Sequence, residues 1–205
     1  MAIRILFVDD NPSDLPTDHL KNRYERRFHA EVLSANPRDP IASALSILRE
    51  EKAVTAVVTD SCDQPDLQHL SEFRKAAPHL RIALHSGALT EASRKLAIEM
   101  GADQCIDKDD VALLEKFLAD AANPYEAARR QFEADLPELL AQSNLKGKWV
   151  AYNAEGWQGG PADDELTLVH QFVTSSNARE YFFARVLPNE EAVTFARPYP
   201  FSDAL

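Results

Sequence analysis

Five polar side chains that are remote from one another in the sequence each follow a short apolar run. They are three aspartates, one serine and one lysine, namely Asp9, Asp10, Asp60, Ser86 and Lys108. Two carboxylates at about 4 Å repel each other by about 4 kcal/mol at an effective dielectric constant of about 20. A hard divalent cation would offset that repulsion, and Mg²⁺ suits a partly hydrated site with one or two carboxylates. If the fold gathers these residues, we therefore expect a magnesium site.

Phosphoryl transfer is the chemistry that such a set of residues would support. The reaction needs a nucleophile in line with phosphorus and cations on the phosphoryl oxygens. Asp60 is the expected nucleophile, because it ends the central strand between the metal and Lys108, and a carboxylate that attacks phosphorus forms an acyl phosphate. Ser86 can donate a hydrogen bond to one phosphoryl oxygen, and Lys108 can pair with another. Gly87 has no side chain and leaves room for the group.

Strand and helix patterns alternate along the first part of the chain and would position these residues. The predicted strands are 3–8, 30–33, 54–59, 81–85 and 104–106, and the predicted helices are roughly 12–27, 40–50, 65–77, 90–100 and 110–121. Five repeats of β then α predict an α/β fold, a doubly wound five-stranded parallel sheet with helices on both faces. Ligands bind beyond the carboxyl ends of the strands in such sheets, which is where the five polar residues would lie.

The rest of the chain predicts a helical linker followed by a small α+β module. Residues 123–144 have apolar side chains at helical spacing, and Pro137 interrupts them, so one kinked helix or two helices are expected. Within residues 145–205, strands are predicted at 148–152, 181–187 and 192–196, a helix at 163–176 and a turn-rich loop at 153–160. The expected domains are therefore residues 1–122, a linker over residues 123–144 and a module over residues 145–205.

Five segments in the first 121 residues resemble the receiver domain of two-component response regulators, the CheY-like family. In order they are 4–11, 57–60, 84–88, 101–103 and 106–108. The resemblance implies a flavodoxin-like fold in which Asp60 is the phosphorylation site, Ser86 is the switch hydroxyl and Lys108 contacts the phosphoryl group. Residues 145–205 resemble a small uncharacterised β–α–β module of bacterial proteins, which implies no particular role.

The resemblance also implies a cofactor and partners. Mg²⁺ would be bound by Asp10, Asp60 and the backbone carbonyl of Cys62, with Asp9 assisting through water. A histidine kinase or a phosphotransfer protein would supply the phosphoryl group. Output would pass to a downstream protein partner or to a second copy of the chain. The protein would take part in its own phosphorylation and dephosphorylation without being a conventional enzyme.

Three departures from the family pattern lie near the expected site. Cys105 stands three positions before Lys108, where the family usually has an aromatic residue that turns inward on activation. Asp109 follows Lys108 in place of the usual proline, and the loop after Asp60 lacks the common Met-Pro pair. The aromatic side chain on which the family's usual switch depends is therefore absent from position 105.

Charge and cysteine usage exclude several function classes. The formal net charge is −11, and neither half of the chain has a dense basic patch, so nucleic-acid binding is not expected. No apolar run approaches the roughly 18 residues of a membrane-spanning helix, so no membrane association is expected. Cys62 and Cys105 form no metal-binding motif and predict free thiols in a reducing, cytoplasmic compartment.

Other interpretations of the same residues stay open at the level of sequence. Asp9 and Asp10 could cap the first helix, since acidic residues favour a helix N-terminus. His85 is expected to point to the opposite face from Ser86 and to be structural. For output, the favoured hypothesis is a phosphorylation-dependent protein interaction. The alternatives are a phosphorylation-independent adaptor and an effector enzyme within residues 145–205.

Overall fold

The computed structural model describes residues 3–51, 53–173 and 181–188 of the chain. The chain divides into two units, Met1–Asn123 and Pro124–Leu205, and each has its own sheet.

The first unit alternates strands and helices. The strands are β1 Ile3–Val8, β2 Ala30–Ser34, β3 Val54–Thr59, β4 Arg81–Ser86 and β5 Gln104–Asp107, and the helices are α1 Asp18–Phe28, α2 Pro40–Glu50, α3 Gln68–Ala76, α4 Glu91–Glu99 and α5 Val111–Ala121. The strands pair in parallel in the order β2-β1-β3-β4-β5. This is the flavodoxin-like order, so the predicted doubly wound five-stranded parallel sheet is confirmed.

Strand β3 is the central strand of this sheet, and all six of its residues are buried. Its run of apolar and β-branched residues is typical of a strand that is covered on both faces. The chain order of the strands reverses between β1 and β3, which is the topological switch point where such sheets bind ligands. Residues that follow β1 and β3 therefore flank the expected binding crevice.

Helix α1 begins later than the sequence pattern predicts. The prediction placed its start at residue 12, but the helix begins at Asp18, and the hydroxyl of Thr17 accepts from the backbone amide of Leu20. Pro16 explains the shift, because a proline disfavours helical conformation in the residue before it and Thr17 then supplies an N-cap. The loop between β1 and α1 is consequently longer than expected, and it carries Asp14.

The second unit contains a three-stranded antiparallel sheet and two helices among its described residues. They are α6 Pro124–Ala141, β6 Trp149–Asn153, β7 Gly156–Ala162, α7 Glu165–Val173 and β8 Phe182–Arg185, with the strands in the order β7-β6-β8. The prediction of a turn-rich loop at 153–160 was wrong, because β7 begins within it. The predicted strand at 192–196 lies outside the described residues.

Glycines in β7 explain why this strand was missed. Glycine usually marks a turn or weakens a strand, but here it makes room for a neighbouring side chain. A Cβ atom added at Gly159 would lie 2.5 Å from Cζ of Phe172 in helix α7. The glycine therefore permits α7 to pack closely on the sheet.

Helix α6 supplies much of the core of the second unit. It continues through Pro137 as one helix, although the sequence left open whether two helices form. The ring of Phe132 lies 5.5 Å from that of Tyr152 and 5.6 Å from that of Phe182, measured between ring centroids. Residues 123–144, predicted as a linker, thus contain a helix that packs on the sheet of the second unit.

Phe132→Ala should destabilise the second unit by about 3–5 kcal/mol, because it leaves a cavity among buried aromatic rings. Both tryptophans of the chain, Trp149 and Trp157, lie in this unit, so tryptophan fluorescence during urea unfolding measures its stability directly. The matched control is Glu138→Ala on an exposed position of the same helix, expected within about 0.5 kcal/mol of the unchanged chain. Equal midpoints for both variants would contradict the packing role of α6.

Candidate functional site

The carboxyl ends of four parallel strands bring the predicted polar residues together. Asp9 and Asp10 follow β1, Asp60 follows β3, Ser86 ends β4 and Lys108 follows β5. One carboxylate oxygen from each of Asp9, Asp10 and Asp60 lies within 4.8 Å of the other two. Nζ of Lys108 lies 3.1 Å from Oδ2 of Asp60. The expected convergence of these side chains at one edge of the sheet is therefore observed.

Main-chain pairing extends beyond the strands and holds Asp60 and Lys108 in place. The backbone amide of Asp60 donates to the carbonyl of Val8 at 2.9 Å, which keeps Asp60 beside the end of β1. The backbone amide of Lys108 donates to the carbonyl of Ser86 at 3.3 Å. Two residues of the site are thus positioned by the sheet itself, without depending on flexible loops.

The ammonium group of Lys108 contacts three carboxylates. Its Nζ lies 2.9 Å from Oδ2 of Asp9, 2.6 Å from Oδ2 of Asp14 and 3.1 Å from Oδ2 of Asp60. Partial burial alone would lower the pKa of Lys108, but its hydrogen bonds to Asp14, Asp9 and Asp60 outweigh that effect and raise the pKa. Lys108 is therefore a permanent cation at the site.

Asp60 is ionised, as a nucleophilic carboxylate must be. Burial alone would raise its pKa, but the backbone amide of Ser61, the ammonium of Lys108 and the hydroxyl of Ser86 donate hydrogen bonds that together lower it. The amide of Ser61 donates to Oδ1 at 2.7 Å, and Lys108 donates to Oδ2. Both carboxylate oxygens are thus oriented before any substrate arrives.

The pKa of Asp9 is shifted in the opposite direction from that of Asp60, because the effect of burial outweighs that of the hydrogen bonds. The side chain of Asp9 is almost fully buried, and this burial raises its pKa against the lowering effects of Lys108 and of the backbone amide of Asn11. Charge repulsion from Asp60 adds to the increase. A cation placed among the carboxylates would remove this cost, so the site is electrostatically suited to a metal ion.

The donor set of Asp9, Asp10 and Asp60 consists of carboxylate oxygens, which hard cations such as Mg²⁺ prefer. Cys62 contributes no thiolate, because burial among apolar residues raises the pKa of its thiol to about 12. Cys62 and Asp63 both adopt a left-handed backbone, with φ of 48° and 57°, so the chain turns sharply just after Asp60. A role for the Cys62 carbonyl as a ligand stays a prediction.

Asp14 is a site residue that the sequence pattern did not reveal. The prediction started helix α1 at residue 12, which would have placed Asp14 on a helix. In the structure Asp14 lies in a loop that Asn11 holds in place. The backbone amide of Asp14 donates to the backbone carbonyl of Asn11, and the backbone amide of Ser13 donates to the side-chain oxygen of Asn11. The available signal was the proline at position 16, which delays the helix.

His69 is a second residue that was missed. Its side chain is buried in α3, and Nε2 lies 3.1 Å from the carbonyl oxygen of Asp60. The carbonyl can only accept, so Nε2 carries the proton. The hydroxyl of Thr59 donates to the same oxygen at 2.9 Å. The main chain at Asp60 is therefore fixed from two sides, and no sequence spacing indicated this contact.

Cys105, which replaces the expected aromatic residue, is half-buried on β5. Arg94 of helix α4 donates to the Cys105 carbonyl at 3.1 Å and forms an ion pair with Asp107 at 2.6 Å. The Cys105 thiol lies 3.7 Å from the carbonyl oxygen of Arg94. An arginine thus joins α4 to β5 at this position.

Among the described residues, no helix combines the length and apolar character that a membrane crossing requires.

Comparison with known proteins shows similarity at the level of fold. No protein-family model matches the chain, and no curated protein matches its sequence. The signal receiver domain of a Luxo repressor protein from Vibrio parahaemolyticus is 15% identical with a TM-score of 0.50, and the match covers 65% of this chain and 96% of that chain.

Two further solved structures cover a similar share of the chain. A response regulator receiver domain protein from Clostridium thermocellum is 26% identical over 60% of this chain and 95% of that chain, with a TM-score of 0.48. A CheY-like receiver domain protein from Methanospirillum hungatei JF-1 is 21% identical over 59% of this chain and 94% of that chain, also with a TM-score of 0.48. The first unit of this chain has the fold of response-regulator receiver domains.

Proposed function

We propose that this chain is a two-component response regulator that accepts a phosphoryl group on Asp60. The observation that supports this most strongly is the ionised Asp60 carboxylate, which lies among two further carboxylates and 3.1 Å from the Lys108 ammonium. This arrangement occurs at the switch point of a sheet with the receiver fold. The likeness in fold alone would not support the reaction, because one fold hosts many functions.

Asp10 and Asp60 would hold Mg²⁺ together with the Cys62 carbonyl, and Asp9 would assist through water. When bound, Mg²⁺ supplies positive charge to the phosphoryl oxygens. A carboxylate oxygen of Asp60 forms a bond to phosphorus while the bond between phosphorus and the donor breaks, and the donor leaves with that electron pair. Lys108 pairs with one phosphoryl oxygen, and Ser86 donates a hydrogen bond to another.

The phosphodonor would be a histidine kinase or a phosphotransfer protein. The acidic net charge of −11 disfavours a nucleic acid as the output partner, so output would pass to a protein or to a second copy of the chain. The chain would accept and lose the phosphoryl group without turning over a separate substrate. A cytoplasmic location fits the free thiols Cys62 and Cys105, which would stay reduced there.

Acetyl phosphate tests this function without the partner kinase. With Mg²⁺ present, the intact mass of the chain should increase by one phosphoryl group. Chelation of the metal should prevent the increase, because the positive charge that the metal supplies to the phosphoryl oxygens would then be missing. No mass increase with Mg²⁺, or an equal increase after chelation, would contradict the proposed function.

A further inference from the structure

Asp14 makes the shortest of the three contacts to Lys108, although it lies outside the three-carboxylate group. Its Oδ2 is 2.6 Å from Nζ of Lys108, whereas the grouped carboxylates are Asp9, Asp10 and Asp60. Asp14 is also the most exposed partner, with 36% of its side chain accessible against 7% for Asp9 and 17% for Asp60. It therefore contacts the cation of the site from the solvent side.

The loop that carries Asp14 is folded so as to make this contact. The side chain of Asn11 accepts from the backbone amide of Ser13 at 3.1 Å, and its carbonyl accepts from the amide of Asp14 at 3.0 Å. The amide of Asn11 donates to Oδ1 of Asp9 at 2.8 Å. The turn after β1 is thus tied to the site at one end and places Asp14 beside Lys108 at the other.

An ammonium group has three N–H donors, and in this structure Asp9, Asp14 and Asp60 occupy all three. A phosphoryl oxygen can pair with Lys108 only if one of these contacts is released. Releasing Asp60 would remove the hydrogen bond that orients the attacking carboxylate. Releasing Asp9 would take a donor from a carboxylate that is almost fully buried, where water cannot easily replace it. Releasing Asp14 costs least, because water can replace Lys108 as the partner of an exposed carboxylate.

We propose that Asp14 is a positioning residue that holds Lys108 in the unphosphorylated protein and competes with the incoming phosphoryl group for it. This inference rests on the proposed function, since it assumes that Asp60 is the phosphoacceptor. The contact of Asp14 with Lys108 therefore slows phosphorylation and sets the extent that is reached.

Asp14→Asn tests the inference, because it keeps the shape of the side chain and removes its charge. The rate of labelling by acetyl phosphate with saturating Mg²⁺, followed by intact mass, should rise roughly two- to fivefold, the range that an exposed ion pair allows. The gain should shrink at high ionic strength, where exposed charges are screened. Asp14→Glu, which can restore the contact, should return the rate to that of the unchanged chain.

Two controls separate the contact from a general charge effect. Asp18→Asn removes an exposed charge at the start of α1 and should leave the rate unchanged. In a Lys108→Ala background, Asp14→Asn should no longer accelerate labelling, because the residue for which it competes is gone. A rate for Asp14→Asn equal to or below that of the unchanged chain would overturn the inference, as would an equal gain in Asp18→Asn or in the Lys108→Ala background. Failure of the unchanged chain to label would instead overturn the proposed function.

Discussion

Asp60→Asn should take up no phosphoryl group from acetyl phosphate under conditions in which the unchanged chain takes up one. An amide oxygen is a much weaker nucleophile than a carboxylate, so the acyl phosphate cannot form. The substitution preserves the shape of the side chain and an oxygen that can accept from the backbone amide of Ser61. Labelling should fall to background in an intact-mass time course, and the fold should be unaffected.

The matched control for this variant is Asp63→Asn in the same loop. Asp63 is exposed and has a left-handed backbone with φ of 57°, a conformation that asparagine tolerates well. The control removes the same charge three residues from Asp60 and should be labelled like the unchanged chain. Equal labelling of Asp60→Asn and the unchanged chain would show that another residue is the acceptor.

Asp10→Ala should weaken Mg²⁺ binding by at least about tenfold. Loss of a residue that only supports a ligand typically costs about that much in metal affinity, and loss of a ligand should cost no less. Asp10 is one of three residues that each place one carboxylate oxygen within 4.8 Å of the other two. Isothermal titration calorimetry with Mg²⁺ measures the change directly.

Asp14→Ala is the control that shows whether Asp10→Ala loses Mg²⁺ affinity through a lost ligand or only through a lost negative charge. It removes the same charge from the same loop, but Asp14 lies outside the three-carboxylate group and contacts Lys108 instead. We therefore expect a smaller loss of Mg²⁺ affinity than in Asp10→Ala. Unchanged binding in Asp10→Ala, or equal weakening in both variants, would argue against Asp10 as a ligand.

The meeting of the site residues at one edge of the sheet could be predicted, because it depends only on which segments form strands and on the strands being parallel. The run from Val54 to Thr59 is rich in β-branched residues, and such runs are typical of strands that are buried on both faces of a parallel sheet. Once five such strands are parallel, the residues after them must lie at one edge. Asp60 and Lys108 therefore meet for reasons that the sequence pattern contains, although 48 residues separate them.

The features that were missed depend on packing between elements. His69 contacts the carbonyl of Asp60 because α3 turns that side of the helix towards β3, and no local pattern specifies this. Gly159 resembles a turn residue in sequence, but it is needed because Phe172 packs against it. Phe132 belongs to the second unit because the sheet there offers an apolar face, whereas its helical spacing alone is equally consistent with a linker.

The position of the phosphoryl group within the labelled chain is the most direct measurement of the central claim. Borohydride reduces an aspartyl phosphate to an alcohol, so reduction, digestion and peptide mass spectrometry identify the acceptor. We predict that the reduced residue is Asp60, in the peptide that also contains Thr59 and Ser61. A phosphoryl group found on Ser86, on Asp9 or Asp10, or on any residue of the second unit would contradict the account.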